Sequence, residues 1–488
     1  MASARKRVVV VGGGITGLAA AHRLGELDPA LEVTLLEAGK RIGGVIETVR
    51  RDGLLIERSA DNFMTSVPWA VDLCRRVGLA DQLIPTTSDR RGALVVHRGR
   101  LVRVPAGFML MAPARIWPLV TTPLLSPWGK LRLLAEYFVP RRKSSDDESL
   151  ASFARRRLGR EAFERIVQPL MGGIYTADAE KLSLKATMPR FVEMERRYGG
   201  LIRGARAAGG GPGHQPAESG ARYGLFVTPR EGLTSLVEAI AARLPEGCVR
   251  LGSPVERIAQ QADGTWTVKI AGRAGPPADV ACDAVIVATQ APVASALLSE
   301  LDRGLAADLA RIEYAGTSIV SLVYRRNQIA HRLDGFGFVV PAREKRRILA
   351  GSFSSIKFAG RAPDNLVLVR VFIGGACQSE LADLPDNELR EIAADELREL
   401  LGTSGQPLFL DVARWPRSMP QYHLGHCELV GAIQRGMARW PRIALAGNAY
   451  HGVGIPNCIH SGETAAERIA AQLTKSPGEA KSPGEAGG

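Results

Sequence analysis

With 488 residues, 45% hydrophobic and 23% charged, the chain is long enough for two or three packed cores and too apolar to be disordered. Its net charge of +13 suits an anionic substrate, an anionic membrane surface or simply solvated arginines; with no nucleic-acid motif, a nucleic-acid partner is not expected. The six cysteines are scattered and the eight histidines form no cluster, which predicts no disulfide framework, no metal site and a reducing, cytoplasmic setting.

The first element is the β-branched run Val8–Val11, which reads as a buried strand rather than the core of a signal peptide. It feeds Gly12-Gly13-Gly14-Ile15-Thr16-Gly17 and then an Ala/Leu-rich helix. Gly12 permits the tight turn, Gly14 lets a pyrophosphate reach bare backbone, and Gly17 lets helix and strand pack closely. The helix start offers free N–H groups and positive partial charge to phosphates. A second strand, Val33–Leu36, ends in Glu37, placed to accept hydrogen bonds from a ribose 2′-hydroxyl.

Next comes Glu37-Ala38-Gly39-Lys40-Arg41-Ile42-Gly43-Gly44-Val45. Arg41 presents a cationic fork to a phosphate, and Gly43-Gly44 lets backbone lie flat against a ligand. This run resembles the flavin-containing amine oxidase superfamily, and the resemblance implies FAD.

Further along, residues 101–143 are apolar but interrupted by Pro105, Pro113, Pro118, Pro123, Pro127 and Pro140, which excludes one long helix. Short helices carrying Trp117 and Trp128 beside Lys130, Arg132, Arg141, Arg142 and Lys143 either roof a substrate channel or rest in a membrane interface. No run of about 18 apolar residues offers a bilayer span. Residues 204–222 read as a Gly-rich loop, and 474–488, with its repeated Lys-Ser-Pro-Gly-Glu-Ala, as a disordered tail. Asp283–Thr289 and Ile443–Asn448 are expected to re-enter the first sheet, while strands Thr317–Tyr324 and Leu366–Ile373 and helix Asp386–Leu401 predict a second α/β domain.

The expected fold is therefore α/β, with a Rossmann-like FAD-binding domain assembled from separated segments. Its expected parts are 1–90, 225–300 and 415–473. An α+β substrate domain is expected from 91–110 and 305–414, and an inserted, mainly helical domain from 111–224.

Near the end, Gly447-Asn448 and Gly452-Val453-Gly454-Ile455 precede a helix over Ile459–Leu473, with Pro456 as its first residue. Such a helix start, aimed at a flavin, would stabilise the charge gathered on reduction. Val255 lies on a strand whose backbone could meet an adenine edge. The block Pro169…Gly173-Ile174-Tyr175…Asp178…Leu182-Ser183, with Pro189-Arg190-Phe191, Asp61-Asn62-Phe63 and Arg414-Trp415-Pro416, resembles the porphyrinogen oxidase family over about residues 6–473.

That resemblance implies FAD contacts from Gly12, Gly13, Gly14, Ile15, Thr16, Gly17, Glu37, Ala38, Arg41, Gly43, Gly44, Val45, Ser59, Ala60, Asp61, Asn62, Val255, Trp415, Gly447, Asn448, Gly452, Val453, Gly454 and Ile455. Ser59-Ala60 departs from the family's Gly-Pro. It also implies an arginine for a substrate propionate, Arg91 with Arg98 and Arg103 as alternatives. The implied chemistry is oxidation of protoporphyrinogen IX or coproporphyrinogen III by O2 in haem biosynthesis, in three hydride transfers to flavin N5 with release of H2O2. No catalytic side chain is assigned. Another amine oxidase or desaturase, and a non-catalytic flavoprotein scaffold, are the alternatives. A homodimer, peripheral membrane contact and hand-off to a following enzyme stay open.

Overall fold

A computed structural model describes residues 5–88, 92–113, 115, 117–209, 226–272 and 278–474. Its residues pack into two compact units. The first comprises the described residues within Met1–Gly44, Val237–Arg311 and Val430–Gly488. Here a five-stranded parallel sheet runs in the order Val249–Arg250, Glu32–Leu36, Arg7–Val11, Ala284–Val287 and Ile443–Leu445. The interior strands are continuous apolar runs because helices cover parallel sheets on both faces. Val8, Val10, Val285 and Ile286 are fully buried, each such side chain contributing about 1.5–3 kcal/mol. Strand Arg7–Val11 has partners on both sides, Glu32–Leu36 and Ala284–Val287, so the chain reverses direction of winding there. That switch point is where open α/β sheets bind ligands.

Helices Ile15–Leu27 and Ile455–Thr474 lie side by side in this unit. A Cβ on Gly462 would sit 2.2 Å from the Thr16 carbonyl oxygen, so only glycine allows this approach. The second helix starts four residues earlier than expected, with Pro456 as its second residue.

The second unit comprises the described residues within Val45–Leu236 and Ile312–Leu429. A seven-stranded sheet forms its centre, in the order Phe409–Pro420, Tyr314–Arg325, Leu366–Gly374, Ala350–Phe353, Gly337–Val339, Leu94–His97 and Arg100–Arg103. All neighbours are antiparallel except Gly337–Val339 with Leu94–His97. Helix Asp386–Leu401, at its expected bounds, packs Leu389, Ile392, Ala393 and Leu397 onto the sheet.

The division corrects the expected boundaries. Residues 45–90, 225–236 and 415–429 belong to the second unit, as does the helical insertion. Packing explains this: hairpin residues Leu54 and Ile56 are buried against Val323 and Leu368 of the large sheet. Buried Glu57 accepts the Leu233 amide and the Thr48 hydroxyl, both at 2.8 Å. Residues 204–209, expected as loop, end the helix Leu201–Gly209. The rest of that stretch, from 210, and the tail from 475 lie outside the described residues.

Candidate active site

The glycine turn of the first unit has the geometry its spacing demands. Gly12 has φ +109°, and a Cβ there would meet the Ala288 carbonyl oxygen at 2.6 Å. A Cβ on Gly17 would fall 1.9 Å from the Gly12 carbonyl oxygen. At Gly14 a Cβ would meet nothing within 4 Å, so this glycine opens space instead of saving a clash. Gly14 is also the helix N-cap and supplies no capping side chain, leaving the first-turn amides facing outward.

Glu37 frames one edge of this opening. Its carboxylate accepts the amides of Gly13 and Gly39, each at 2.6 Å. Gly43 lies across the turn through its amide bond to the Gly13 carbonyl at 2.8 Å. Arg41 donates to the carbonyls of Gly44 at 2.7 Å and Ile42 at 3.2 Å, bracing its own loop. Ala38 is exposed beside it. The segment before Val255 pairs with the same loop through backbone: the Ser253 amide donates to the Glu37 main-chain carbonyl and the Gly252 amide to that of Gly39, at 2.8 and 2.9 Å. Val255 opens the antiparallel strand Val255–Gln260, paired with Ile270.

Gly447 and Gly452 both hold left-handed φ values, +139° and +133°. The Gly447 amide donates to the Ser461 hydroxyl at 3.0 Å, and Asn448 follows on the same turn. Val453 and Gly454 lead into the final helix, whose first residue, Ile455, is buried. His451 touches Gln434 at 3.0 Å; burial, with His460 nearby, pushes its imidazole below the usual range. The starts of two neighbouring helices thus bring two positive ends together in one unit.

Val45, Ser59–Asn62 and Trp415 belong to the second unit. Val45 is 40% exposed. The Trp415 indole donates to the Arg58 carbonyl at 2.6 Å, and Arg370 donates to the Ser59 carbonyl. Ala60 is exposed. Asp61 pairs with Lys357 at 3.1 Å and Arg370 at 3.4 Å, and accepts from Asn62. Burial opposes its charge, yet Lys357 and Arg370 outweigh that and hold the carboxyl below its usual range. Burial likewise pushes the Lys357 ammonium down, against the pull of Asp61.

Lys357 and Arg370 were not foreseen in sequence. Arg370, inside the apolar strand Leu366–Gly374, carried the signal: a lone charge among buried residues demands a partner. Gly462 was also missed. Arg91 lies outside the described residues; of its alternatives, Arg103 is held by the carbonyl of Asp334 and Arg98 stands near His97 and Arg165.

The Gly-Ile-Tyr block is locally irregular. A π-helical turn over Phe163–Val167 precedes helix Gln168–Tyr175, and Thr176 ends that helix at φ +47°. Such departures concentrate at functional sites. A cavity of about 510 Å³ in the second unit is lined by Asp178, Glu313 and Asp383 with Lys181, Arg417 and His423. Its carboxylates do not suit a polyanion.

The sequence pattern of the flavin containing amine oxidoreductases matches residues 15–470. This chain belongs to that family. FAD is accordingly its cofactor. The residues fit FAD: the uncapped helix start, the open space above Gly14 and Glu37 beside it form a cradle for a dinucleotide's diphosphate and ribose.

Among curated relatives of this amine oxidoreductase, coproporphyrinogen III oxidase of Bacillus subtilis (strain 168) is 34% identical over 95% of this chain and 98% of its own length. Mitochondrial protoporphyrinogen oxidase of Nicotiana tabacum is 28% identical, over 96% of each. A crystal structure from Exiguobacterium sp. 255-15, assigned as a protoporphyrinogen oxidase, superposes with a TM-score of 0.85 at 30% identity, covering 96% of this chain and 99% of that one.

Proposed function

We propose that this protein is an FAD-dependent oxidase that converts a porphyrinogen to the porphyrin in haem biosynthesis, with coproporphyrinogen III as the preferred substrate. The observation that carries this reading is the end-to-end similarity to the Bacillus subtilis coproporphyrinogen III oxidase. The Gly-Ile-Tyr block and the net charge of +13 support it, since a tetracarboxylate favours a basic protein. Bound flavin would supply the two-electron acceptor, with three molecules of O2 reduced to H2O2 per porphyrin formed.

The protein's own part is to bind and orient. The first-turn amides of helix Ile15–Leu27 hold the diphosphate and Glu37 the ribose. The start of helix Ile455–Thr474, with Gly452–Gly454, stabilises negative charge on the flavin ring. Val45, Ser59–Asn62, Val255 and Trp415 remain cofactor contacts on the strength of the family resemblance. The test is oxygen uptake together with porphyrin fluorescence, using each porphyrinogen in turn. Turnover of coproporphyrinogen III with the higher kcat/KM supports the reading, and turnover of neither ends it.

We also propose peripheral attachment to the cytoplasmic face of an anionic membrane. No described helix is long and apolar enough to cross one. Along Pro127–Leu134 and the 3-10 turn Ala135–Phe138, however, Trp128, Leu131 and Phe138 share one stripe and are 79%, 58% and 81% exposed. Gly129, Leu133 and Glu136 form the buried face opposite. Glu136 fixes that face by accepting from Arg157 and the Leu201 amide. Lys130, Arg141, Arg142 and Lys143 flank the apolar stripe, favouring anionic headgroups over a second, equally basic copy.

A further inference from the structure

The cavity of about 510 Å³ in the second unit keeps opposite charges in one lining without pairing them. Lys181 and Arg417 meet no carboxylate within ion-pair distance among the described residues, although Asp178, Glu313 and Asp383 line the same space. Asp178 accepts the Glu180 amide at 2.9 Å but no cation. Glu313 has only the His423 imidazole, at 3.7 Å. The Asp383 carboxylate has neither an ion pair nor a hydrogen bond among the described residues. Elsewhere in this unit arginines take up the acids: Arg156 holds Glu148 and Glu195, Arg157 holds Glu136, and Arg165 holds Glu161. The cavity is the exception.

A buried polar atom in the lining points the same way. Gln421 is 4% exposed, and its amide N–H groups donate to the carbonyls of Met419 at 3.1 Å and Tyr175 at 3.5 Å. Those two acceptors fix which end of the amide is nitrogen. Its Oε1 is then left buried with no hydrogen-bond partner among the described residues. An orphaned buried acceptor destabilises the fold unless a donor from outside the chain reaches it.

The wall around Gln421 is shaped by irregular backbone. Strand Phe409–Pro420 is an outer strand of the large sheet, and its register against Tyr314–Arg325 shifts between Ala315 and Thr317. Pro416, Arg417 and Ser418 there oppose the single residue Gly316, and Arg417 holds φ +50°. Such bulges re-aim side chains and recur beside binding sites. The Ala376 amide donates to the carbonyl of left-handed Thr176 at 2.7 Å, tying the wall to the end of helix Gln168–Tyr175.

Three carboxylates against two cations make this lining formally negative in a chain of net charge +13. Burial pushes the His423 imidazole below its usual range, against the pull of Glu313, so it adds no positive charge at neutral pH. Poles that do not neutralise each other suit a ligand carrying both signs, with one more cation than anion. The size suits a small molecule, since such sites measure about 300–1,000 Å³.

We propose that this cavity binds a basic α-amino acid. Lys181 and Arg417 hold its carboxylate, while the three acids and Gln421 Oε1 take its ammonium and its second basic group. The site is independent of the porphyrinogen reading, whose polyanionic substrate the acids would repel.

Isothermal titration calorimetry of the full-length, FAD-loaded protein with L-arginine, agmatine and L-glutamate tests it. L-arginine should bind saturably, with a Kd of about 1 mM or tighter. Agmatine lacks the carboxylate and should bind about tenfold more weakly, and L-glutamate should not bind. Asp383→Asn and Arg417→Asn should each weaken L-arginine by about tenfold. Both residues are exposed, and asparagine tolerates the left-handed backbone at 417, so the thermal midpoint without ligand should stay unchanged. Three results would each overturn the site: no saturable L-arginine binding below about 10 mM, agmatine binding as tight as L-arginine, or either variant within about twofold of wild type. Porphyrinogen turnover enters none of these readouts.

Discussion

Asp61 and Lys357 form an ion pair at 3.1 Å inside the second unit, and Arg370 approaches the other carboxylate oxygen at 3.4 Å. Two buried cations thus share one acid. Removing the acid strands both, a change that costs about 3–5 kcal/mol for buried pairs. Asp61→Asn should therefore lower the thermal midpoint by several degrees, and Asp61→Asn/Lys357→Met should recover part of the loss. Differential scanning fluorimetry of both variants checks this; a double variant less stable than the single contradicts it.

The same pair sets a pH dependence. Because Lys357 and Arg370 outweigh burial and hold the folded Asp61 below its ordinary value of 3.8, its contribution is complete above that value. It is lost as pH falls through the lower, folded value. Wild type and Asp61→Asn should accordingly differ most in stability near neutrality, and the gap should narrow as pH falls below 3.8. Urea midpoints measured at several pH values would show a constant gap if the pair contributes nothing.

Glu37, the proposed ribose contact, ties Gly13 to Gly39 through its carboxylate. Glu37→Gln keeps the shape but loses the charge-assisted bonds, worth about 1.5–3 kcal/mol. FAD should dissociate about tenfold or more readily, read as flavin released on gel filtration. Retention equal to wild type would remove Glu37 from the cradle.

Gly462 allows helix Ile455–Thr474 to approach Thr16, where a Cβ would come within 2.2 Å of the carbonyl oxygen. Gly462→Val should cost about 3 kcal/mol or more, since backbone cannot yield as a flexible side chain does. Both helix starts shift together, so FAD retention should fall along with the thermal midpoint. A stable, yellow Gly462→Val protein would contradict the close packing.

Trp128→Ser/Phe138→Ser should reduce sedimentation with vesicles containing anionic phosphatidylglycerol, leaving turnover of soluble substrate unchanged. Binding of wild type should weaken as salt rises, because basic residues contribute part of it. Equal binding of variant and wild type would sink the membrane proposal.

Much of this architecture was legible because its causes are local. The Val8–Val11 run, the three glycines and Glu37 lie within one βαβ unit, so spacing alone defines the cradle. Helix Asp386–Leu401 carries its own apolar period and occurs at its expected bounds. What escaped was long-range. Asp61 meets Lys357 and Arg370 about 300 residues away in sequence, and no periodicity announces such a pairing. The hairpin Thr48–Glu57 follows the nucleotide-type strands in sequence but buries Leu54 and Ile56 in the other unit. The bond from the Trp415 indole N–H to the Arg58 carbonyl is equally distant in sequence and equally unannounced.

The central claim is that FAD held by this glycine cradle oxidises a porphyrinogen. Anaerobic mixing of the purified, FAD-loaded protein with coproporphyrinogen III, followed at the flavin's visible absorbance, tests it most directly. Prompt bleaching is expected, with colour restored on admitting O2. Flavin that stays fully oxidised with both coproporphyrinogen III and protoporphyrinogen IX would contradict it.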